Sequence, residues 1–502
     1  MSESKKKKYV KNIVFSISSK VIVFILGIII PRLVILNYGS ESNGLLSSVG
    51  DIYKYIALIE AGIGTAALQA LYKPLSDNKQ EEVSSVLVAT RQYFRRLIKW
   101  YALAVVIFAV VYPLVVSHNF SNFIVFGVIF VEGISHVLTY YFVSTLTQLL
   151  SADGREYVSQ IISLIIFVLN SVIKIVLLSL RVNLVVLQCG YLLVNCIQIA
   201  IVYFYIQKTY PWINWKAEPN NQALAKKNRY ALNGVSWVVF SATDTILITI
   251  ACGLKETSIY SIYNLVFSNL NTIILVFYTG TYFILGQKFH ENKQRFIEMY
   301  DGVETGLSCL SFGLFSVAYV MVLPFVTLYT RGADIQYADR YLPILFTIVQ
   351  LLSMSRMLSN HIINTANQPQ LINKDSIIDV SINLGLSTIL VFWIGIYGVL
   401  IGTIVALLYR IIRLVYVANR KILNRSPWKV YKNYLINLLL FAGIVIFNYF
   451  IKPDVASYGD FVLYGILYMA VILPIFALVN VMINPQILGM VKNLIKRKKE
   501  NK

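Results

Sequence analysis

The chain has 502 residues, 57% of them hydrophobic and only 14% charged, with a mean hydropathy of +0.67. Soluble domains carry roughly a quarter charged residues, so this composition excludes a soluble globular protein and fits an all-α polytopic membrane protein. The net charge of +20 suggests nucleic acid, but sorting the basic residues by side of the membrane explains it without such a partner.

Apolar segments of about 20 residues, enough to cross a bilayer, follow one another along the chain. Fourteen spans are expected, at 11–36, 43–71, 98–117, 121–150, 157–180, 184–206, 231–252, 257–286, 305–329, 341–364, 376–395, 398–419, 433–451 and 461–483. The first carries Lys20 and Arg32 and is expected to be broken by Pro31, which removes a backbone hydrogen bond. That segment is too long for a cleavable signal and no small-residue cleavage site follows it. Span two carries Asp51 and Lys54, three apart and so on one face, and also Glu60. Span four places Glu132, His136 and Tyr140 in one stripe, and Lys174 lies deep in span five.

A polar seam at 207–229, with Pro211, Pro219 and the cluster Lys226, Lys227 and Arg229, follows span six. Asp244 stands in span seven and Arg356 near the middle of span ten. Asp379 and Asn383, four apart, share a face of span eleven, and Thr403 lies in span twelve. Cys189, Cys196, Cys252 and Cys309 all fall in apolar spans and have neither metal nor disulfide spacing.

The sequence repeats itself. Asn-Lys-Gln at 78–80 returns at 292–294, and the same offset carries Gly39 onto Gly253 and Ala152 onto Ala366. Two six-span halves follow, residues 1–207 and 230–421, joined by a linker at 208–229. Residues 422–502 add spans thirteen and fourteen and a basic tail. An even number of spans keeps both halves the same way up, as parallel repeats. Most of the 44 Lys and Arg residues fall on the N-terminal side of the membrane, and only 5 fall between spans on the other side. The positive-inside rule then puts both termini in the cytoplasm of a cell-membrane protein.

A charge at the centre of a membrane helix costs about 2.5–3.5 kcal/mol on insertion scales. The cations Lys20, Arg32, Lys54, Lys174 and Arg356 and the acids Asp51, Glu60 and Glu132 are therefore expected to face a polar cavity or one another. The alternatives are packing alone and, for Arg32, snorkelling to the headgroups. Three cations converging from different spans would hold an anion such as a lipid diphosphate. Asp244, Asp379, Asn383 and Thr403 offer the carboxylate, amide and hydroxyl oxygens that a small hard cation prefers. The alternative there is interhelical hydrogen bonding. Neither a metal centre nor an organic cofactor is expected beyond Na+ or H+ coupling.

The connections on the outer side are short, and the sequence has no Asp-x-Asp, Walker, His-Glu-x-x-His or Gly-x-Ser-x-Gly motif. An enzyme is not expected, nor direct use of ATP.

The run Pro31-Arg32-Leu33 to Gly39-Ser-Glu-Ser-Asn-Gly44-Leu45 resembles the first hairpin of Wzx-type polysaccharide exporters. So do Ile59-Glu-Ala-Gly62-Ile-Gly64, Ala66-Ala67-Leu68, Asp244 before Gly253, and Tyr397-Gly398-Val-Leu-Ile-Gly402-Thr403. The resemblance spans essentially the whole chain and implies the multidrug/oligosaccharidyl-lipid/polysaccharide (MOP) exporter superfamily. It implies two six-helix lobes in a V, alternating access, and an undecaprenyl-diphosphate-linked oligosaccharide flipped to the outer leaflet. Lys20, Arg32 and Lys54 lie in regions comparable to the diphosphate-holding cations of the related lipid II flippases. Asp244, Asp379, Asn383 and Thr403 resemble the sodium site of those relatives, with the order of Asp and Asn reversed. Membrane lipids, a polysaccharide polymerase and glycosyltransferases are the expected partners. A multidrug or small-molecule antiporter of the same fold, a membrane polysaccharide polymerase and a non-transporting scaffold are the competing readings.

Overall fold

The computed structural model of the chain describes residues 22–57, 62–225, 242–289 and 293–484. Those residues are almost entirely helical and include no strand. The first helices are α1 (Ile22–Tyr38), α2 (Ser40–Ile56), α3 (Ile63–Ser76), α4 (Gln80–Val115) and α5 (Asn122–Phe142). Next come α6 (Ser144–Ala152), α7 (Glu156–Ser179), α8 (Leu184–Thr209), α9 (Ala242–Cys252) and α10 (Leu254–Phe289). They are followed by α11 (Lys293–Tyr329), α12 (Leu342–Ser355), α13 (Met357–Thr365), α14 (Asn373–Ile394) and α15 (Ile396–Tyr416). A π-helical stretch, Val417–Ile422, then leads to α16 (Trp428–Phe450) and α17 (Tyr458–Ile483).

Eleven of the described helical segments are long and apolar enough to cross a membrane. α1, α9 and the α2–α3 pair stand at the three other expected spans, so the polytopic all-α class holds. Three local expectations change. α1 stays helical through Pro31; a membrane helix tolerates proline where neighbouring groups satisfy the freed backbone. α4 begins at Gln80, well before the apolar window at 98, because Val83, Val86, Leu87 and Phe94 keep a buried face at helical spacing while Glu81, Glu82, Arg95 and Arg96 point outward. Spans four and ten are each interrupted, at Val143 and at Arg356.

The repeat is visible in the backbone. Gly39 precedes α2 with φ 83° and Gly253 precedes α10 with φ 88°, a conformation open almost only to glycine. α4 and α11 end 214 residues apart, at Val115 and Tyr329, and the two interruptions lie 213 apart. Asn78, in the first Asn-Lys-Gln, takes a left-handed backbone (φ 54°) just after α3, where asparagine ends helices well.

The chain divides into two compact units, Met1–Ser258 and Ile259–Lys502, with the boundary inside α10. In the first, Tyr53 of α2, Tyr101 and Val105 of α4 and Val128 and Ile129 of α5 form one core. Leu71, Leu87, Leu149 and Ile162 form a second. In the second unit, Phe267 stacks on Phe346 and on Phe315 with ring centroids 5.6 and 6.4 Å apart. α16 and α17 belong to this unit and pack on α11, where Tyr319 meets Phe441 and Gly313 lies against Phe476.

Candidate functional site

Each unit carries its own polar cluster among membrane helices. In the first, Lys54 Nζ donates to Asp51 Oδ1 at 2.5 Å within α2, as its spacing requires. The Lys54 side chain is 49% exposed and that of Asp51 only 12%, so the ammonium reaches outward from a nearly covered carboxylate. One residue on, the Tyr55 hydroxyl bonds Thr243 Oγ1 of α9. Asp51 and Asp244 both lie within electrostatic range of that hydroxyl. Asp244 is thus part of the first unit, while Asp379, Asn383 and Thr403 are part of the second.

Deeper in the same unit, Glu132 Oε2 accepts from Gln188 Nε2 at 3.1 Å, and Lys174 is the basic group within its electrostatic range. The Lys174 ammonium also sits 5.0 Å from the ring centre of Tyr191, a cation–π arrangement. His136 is not the partner of Glu132: its ring lies between Tyr53 and Tyr140, with centroids 5.0 and 6.3 Å away. Arg32 lies in α1 and is partly accessible. Lys20 and Glu60 lie outside the described residues.

The second unit holds a polar ladder between α14 and α15. Its rungs on α14 are Asp375, Asp379, Asn383 and Ser387, each four residues from the last, hence on one face. Arg413 Nε donates to Asp375 Oδ1 at 2.8 Å, and the Tyr409 hydroxyl donates to the same oxygen at 2.8 Å. Arg410 Nε lies 3.4 Å from Asp379 Oδ2, and its guanidinium donates to Ser376 Oγ at 2.6 Å. Asn383 Nδ2 donates to Thr403 Oγ1 at 2.8 Å, and Ser387 Oγ donates to the Val399 carbonyl at 3.2 Å. Glycine makes this closeness possible. A Cβ on Gly398 would lie 2.3 Å from the Leu390 carbonyl oxygen, and one on Gly402 2.4 Å from Ser387 Oγ.

Arg356 stands at the interruption between α12 and α13. Arg410, Asp379 and the Tyr282 hydroxyl fall within its electrostatic range, so a second guanidinium stands near the Arg410–Asp379 pair. The carbonyl beside the interruption, that of Ser355, accepts from the Tyr434 hydroxyl at 2.6 Å. Tyr434 also donates to Glu304. Below them Asp301 binds Arg425 at 2.7 Å and Lys429 at 2.6 Å, tying α11 to α16 and to the segment before it.

The structure thus brings Asp379, Asn383 and Thr403 onto one seam and adds Arg410, Arg413, Asp375, Ser387 and Glu304, which sequence reading did not select. Arg410 and Arg413 lie in the second half of the span expected at 398–419. The four-residue polar period on α14 was the available signal. Among the described residues no group of three His, Cys, Asp or Glu side chains is placed to share a metal ion.

No family model matches the chain, and no curated protein matches it. Solved structures do. One, a lipid II flippase MurJ in an inward closed conformation, is similar over 94% of this chain and 99% of its own, with a TM-score of 0.65 and 13% identity. An inward-facing multidrug resistance MATE family transporter of the MOP superfamily is similar over 84% of this chain and 94% of its own (TM-score 0.61, 15% identity). A MOP superfamily transporter from Pyrococcus furiosus, described as having a binding pocket of reverse polarity, is similar over the same shares (TM-score 0.53, 13% identity). The fold is the one these transporters share; they are transporters and a flippase, not enzymes.

Proposed function

We propose that this chain is a cell-membrane flippase carrying undecaprenyl-diphosphate-linked oligosaccharide from the cytoplasmic to the outer leaflet by alternating access. The product would feed synthesis of a capsule, exopolysaccharide or related surface polymer. Glycosyltransferases would supply the substrate and a polymerase would consume it. The observation that carries the reading is Arg356 at a helix interruption within the membrane helices, near an Asp379 that already has Arg410 as its partner. A bare diphosphate entering hydrocarbon would meet a barrier on the order of 20 kcal/mol per charge by idealised Born arithmetic, and membrane-embedded guanidinium groups lower it. Lys20, Arg32, Lys54, Lys174 and Arg356 are the proposed diphosphate contacts, with Asp51, Glu60 and Glu132 as balancing acids. With both termini cytoplasmic, an inside-negative potential favours export by about 2.3 kcal/mol per negative charge per 100 mV, if the whole field is crossed.

A second reading has its own support. Glu132, within electrostatic range of Tyr53, together with the ring set Tyr53, His136 and Tyr140, would suit an organic cation, as in a multidrug antiporter. The reverse-polarity relative shows pockets of differing charge on this fold. The deciding experiment is transport in proteoliposomes of defined orientation, with a fluorescent undecaprenyl-diphosphate oligosaccharide and an imposed potential. Protein-dependent appearance of the lipid in the opposite leaflet is the expected result. No movement with several sugar compositions, together with efflux of cationic drugs, would replace the first reading by the second.

A further inference from the structure

A carboxylate inside a membrane helix must be neutralised by a proton, a mobile cation or a fixed side chain. Asp379 is 2% exposed, and Asp379, Asn383 and Thr403 are the members in the second unit of the oxygen set expected, with Asp244, to bind a small cation. The geometry fits such an ion poorly. The Arg410 guanidinium, itself 8% exposed, lies 3.4 Å from Asp379 Oδ2. The Asn383 amide nitrogen points at Thr403 and donates to its hydroxyl. Two oxygens of the set, Asp379 Oδ1 and Asn383 Oδ1, accept no hydrogen bond within the described protein. An ion held by these oxygens would lie against the Arg410 guanidinium, with Arg356 also in range, so the positive charge already present keeps a second cation out.

We infer that Arg410 is a built-in counter-cation: it supplies to Asp379 the positive charge that a mobile sodium ion would otherwise bring. Arg410 is fixed for this role, since its guanidinium is also held by Ser376 on the facing helix. A second cation entering the seam would face like-charge repulsion at contact distance. Arg410 is therefore a positioning residue of the α14–α15 hairpin, and the hairpin stays closed with no ion in the medium. The inference concerns the hairpin whatever the transported molecule is.

The test is thermal unfolding of the purified full chain in NaCl against KCl and choline chloride at equal ionic strength. The midpoint of the parent is expected to be the same in all three salts. Arg410→Ala, which leaves Asp379 and Asn383 open, is expected to gain a sodium-specific rise of about 1–2 °C when sodium is roughly tenfold above its dissociation constant. The double variant Arg410→Ala/Asp379→Asn should lose that rise, and Arg410→Lys should behave as the parent. A sodium-specific rise in the parent that disappears in Asp379→Asn overturns the inference, as does a folded Arg410→Ala that gains none. If Arg410→Ala does not fold, indifference to sodium in both the parent and Arg410→Lys upholds it, and a sodium-specific rise in either overturns it. The readout requires no transport, so its failure is separate from failure of the flippase reading.

Discussion

Asn437 on α16 and Asn480 on α17 exchange two hydrogen bonds, Nδ2 to Oδ1 in each direction, at 3.0 and 2.7 Å. Both residues are buried, at 0% and 1% exposure. Interhelical hydrogen bonds among membrane helices are worth about 1 kcal/mol, while a buried polar group left without its partner costs about 1–3 kcal/mol. Asn437→Leu or Asn480→Leu alone should therefore lower the thermal midpoint in detergent, and the double leucine variant should recover most of the loss. A coupling energy near zero in that cycle would mean that the pair holds nothing together.

Arg356→Ala should reduce transport about tenfold or more at unchanged membrane abundance, because the guanidinium stands at a helix interruption inside the membrane. Lys54→Ala should act in the same direction with little loss of stability, since its ion pair with Asp51 is half exposed and such pairs contribute about 0–1 kcal/mol. Initial rates in proteoliposomes, normalised to protein, test both. Parent-like rates in both variants would remove the cationic path.

Gly402→Ala and Gly398→Ala should each destabilise by about 1–3 kcal/mol. Their new methyl groups would fall 2.7 Å from the Ser387 backbone nitrogen and 2.3 Å from the Leu390 carbonyl oxygen, and backbone cannot step aside as a side chain can. Gly443→Ala is the control: nothing lies within 4 Å of its Cβ position, so that variant should be neutral or slightly stabilised. Thermal melts of the three proteins check this ordering.

Tyr434→Phe removes one hydroxyl and strips two acceptors, the Ser355 carbonyl and the Glu304 carboxylate. The expected loss is about 1–3 kcal/mol. Hydrogen exchange should show it as faster opening around residues 354–358. An unchanged exchange rate there would mean that water replaces the hydroxyl at no cost.

The helices were legible because bilayer thickness imposes one length on every apolar run, and the repeat was legible because Gly39 and Gly253 share a backbone shape few other residues can take. The interruptions at Val143 and Arg356 were not legible: neither has a proline or glycine at the break. The Asp51–Lys54 pair could be read because both partners are on one helix. Asp379 and Asn383 were visible as a face, but Arg410 was hidden, since its partner lies 31 residues earlier on the preceding helix. Spacing placed His136 in one stripe with Glu132 and Tyr140, but could not show that its ring stacks between Tyr53 and Tyr140.

α4 and α11 hold equivalent places in the two repeats, yet 28% of the most apolar stretch of α4 is buried against 56% of that of α11. α11 is covered by α16 and α17, and it carries buried Thr305, Ser308, Ser311 and Ser316, whereas α4 presents Trp100, Leu103, Ile107 and Leu114 outward. Helices at equivalent places thus stand in two different solvents. Lipid accepts almost any large apolar side chain, so the outer face of α4 is free to drift. α11 must match a protein surface atom by atom, so the two copies should evolve at different rates, the second more slowly.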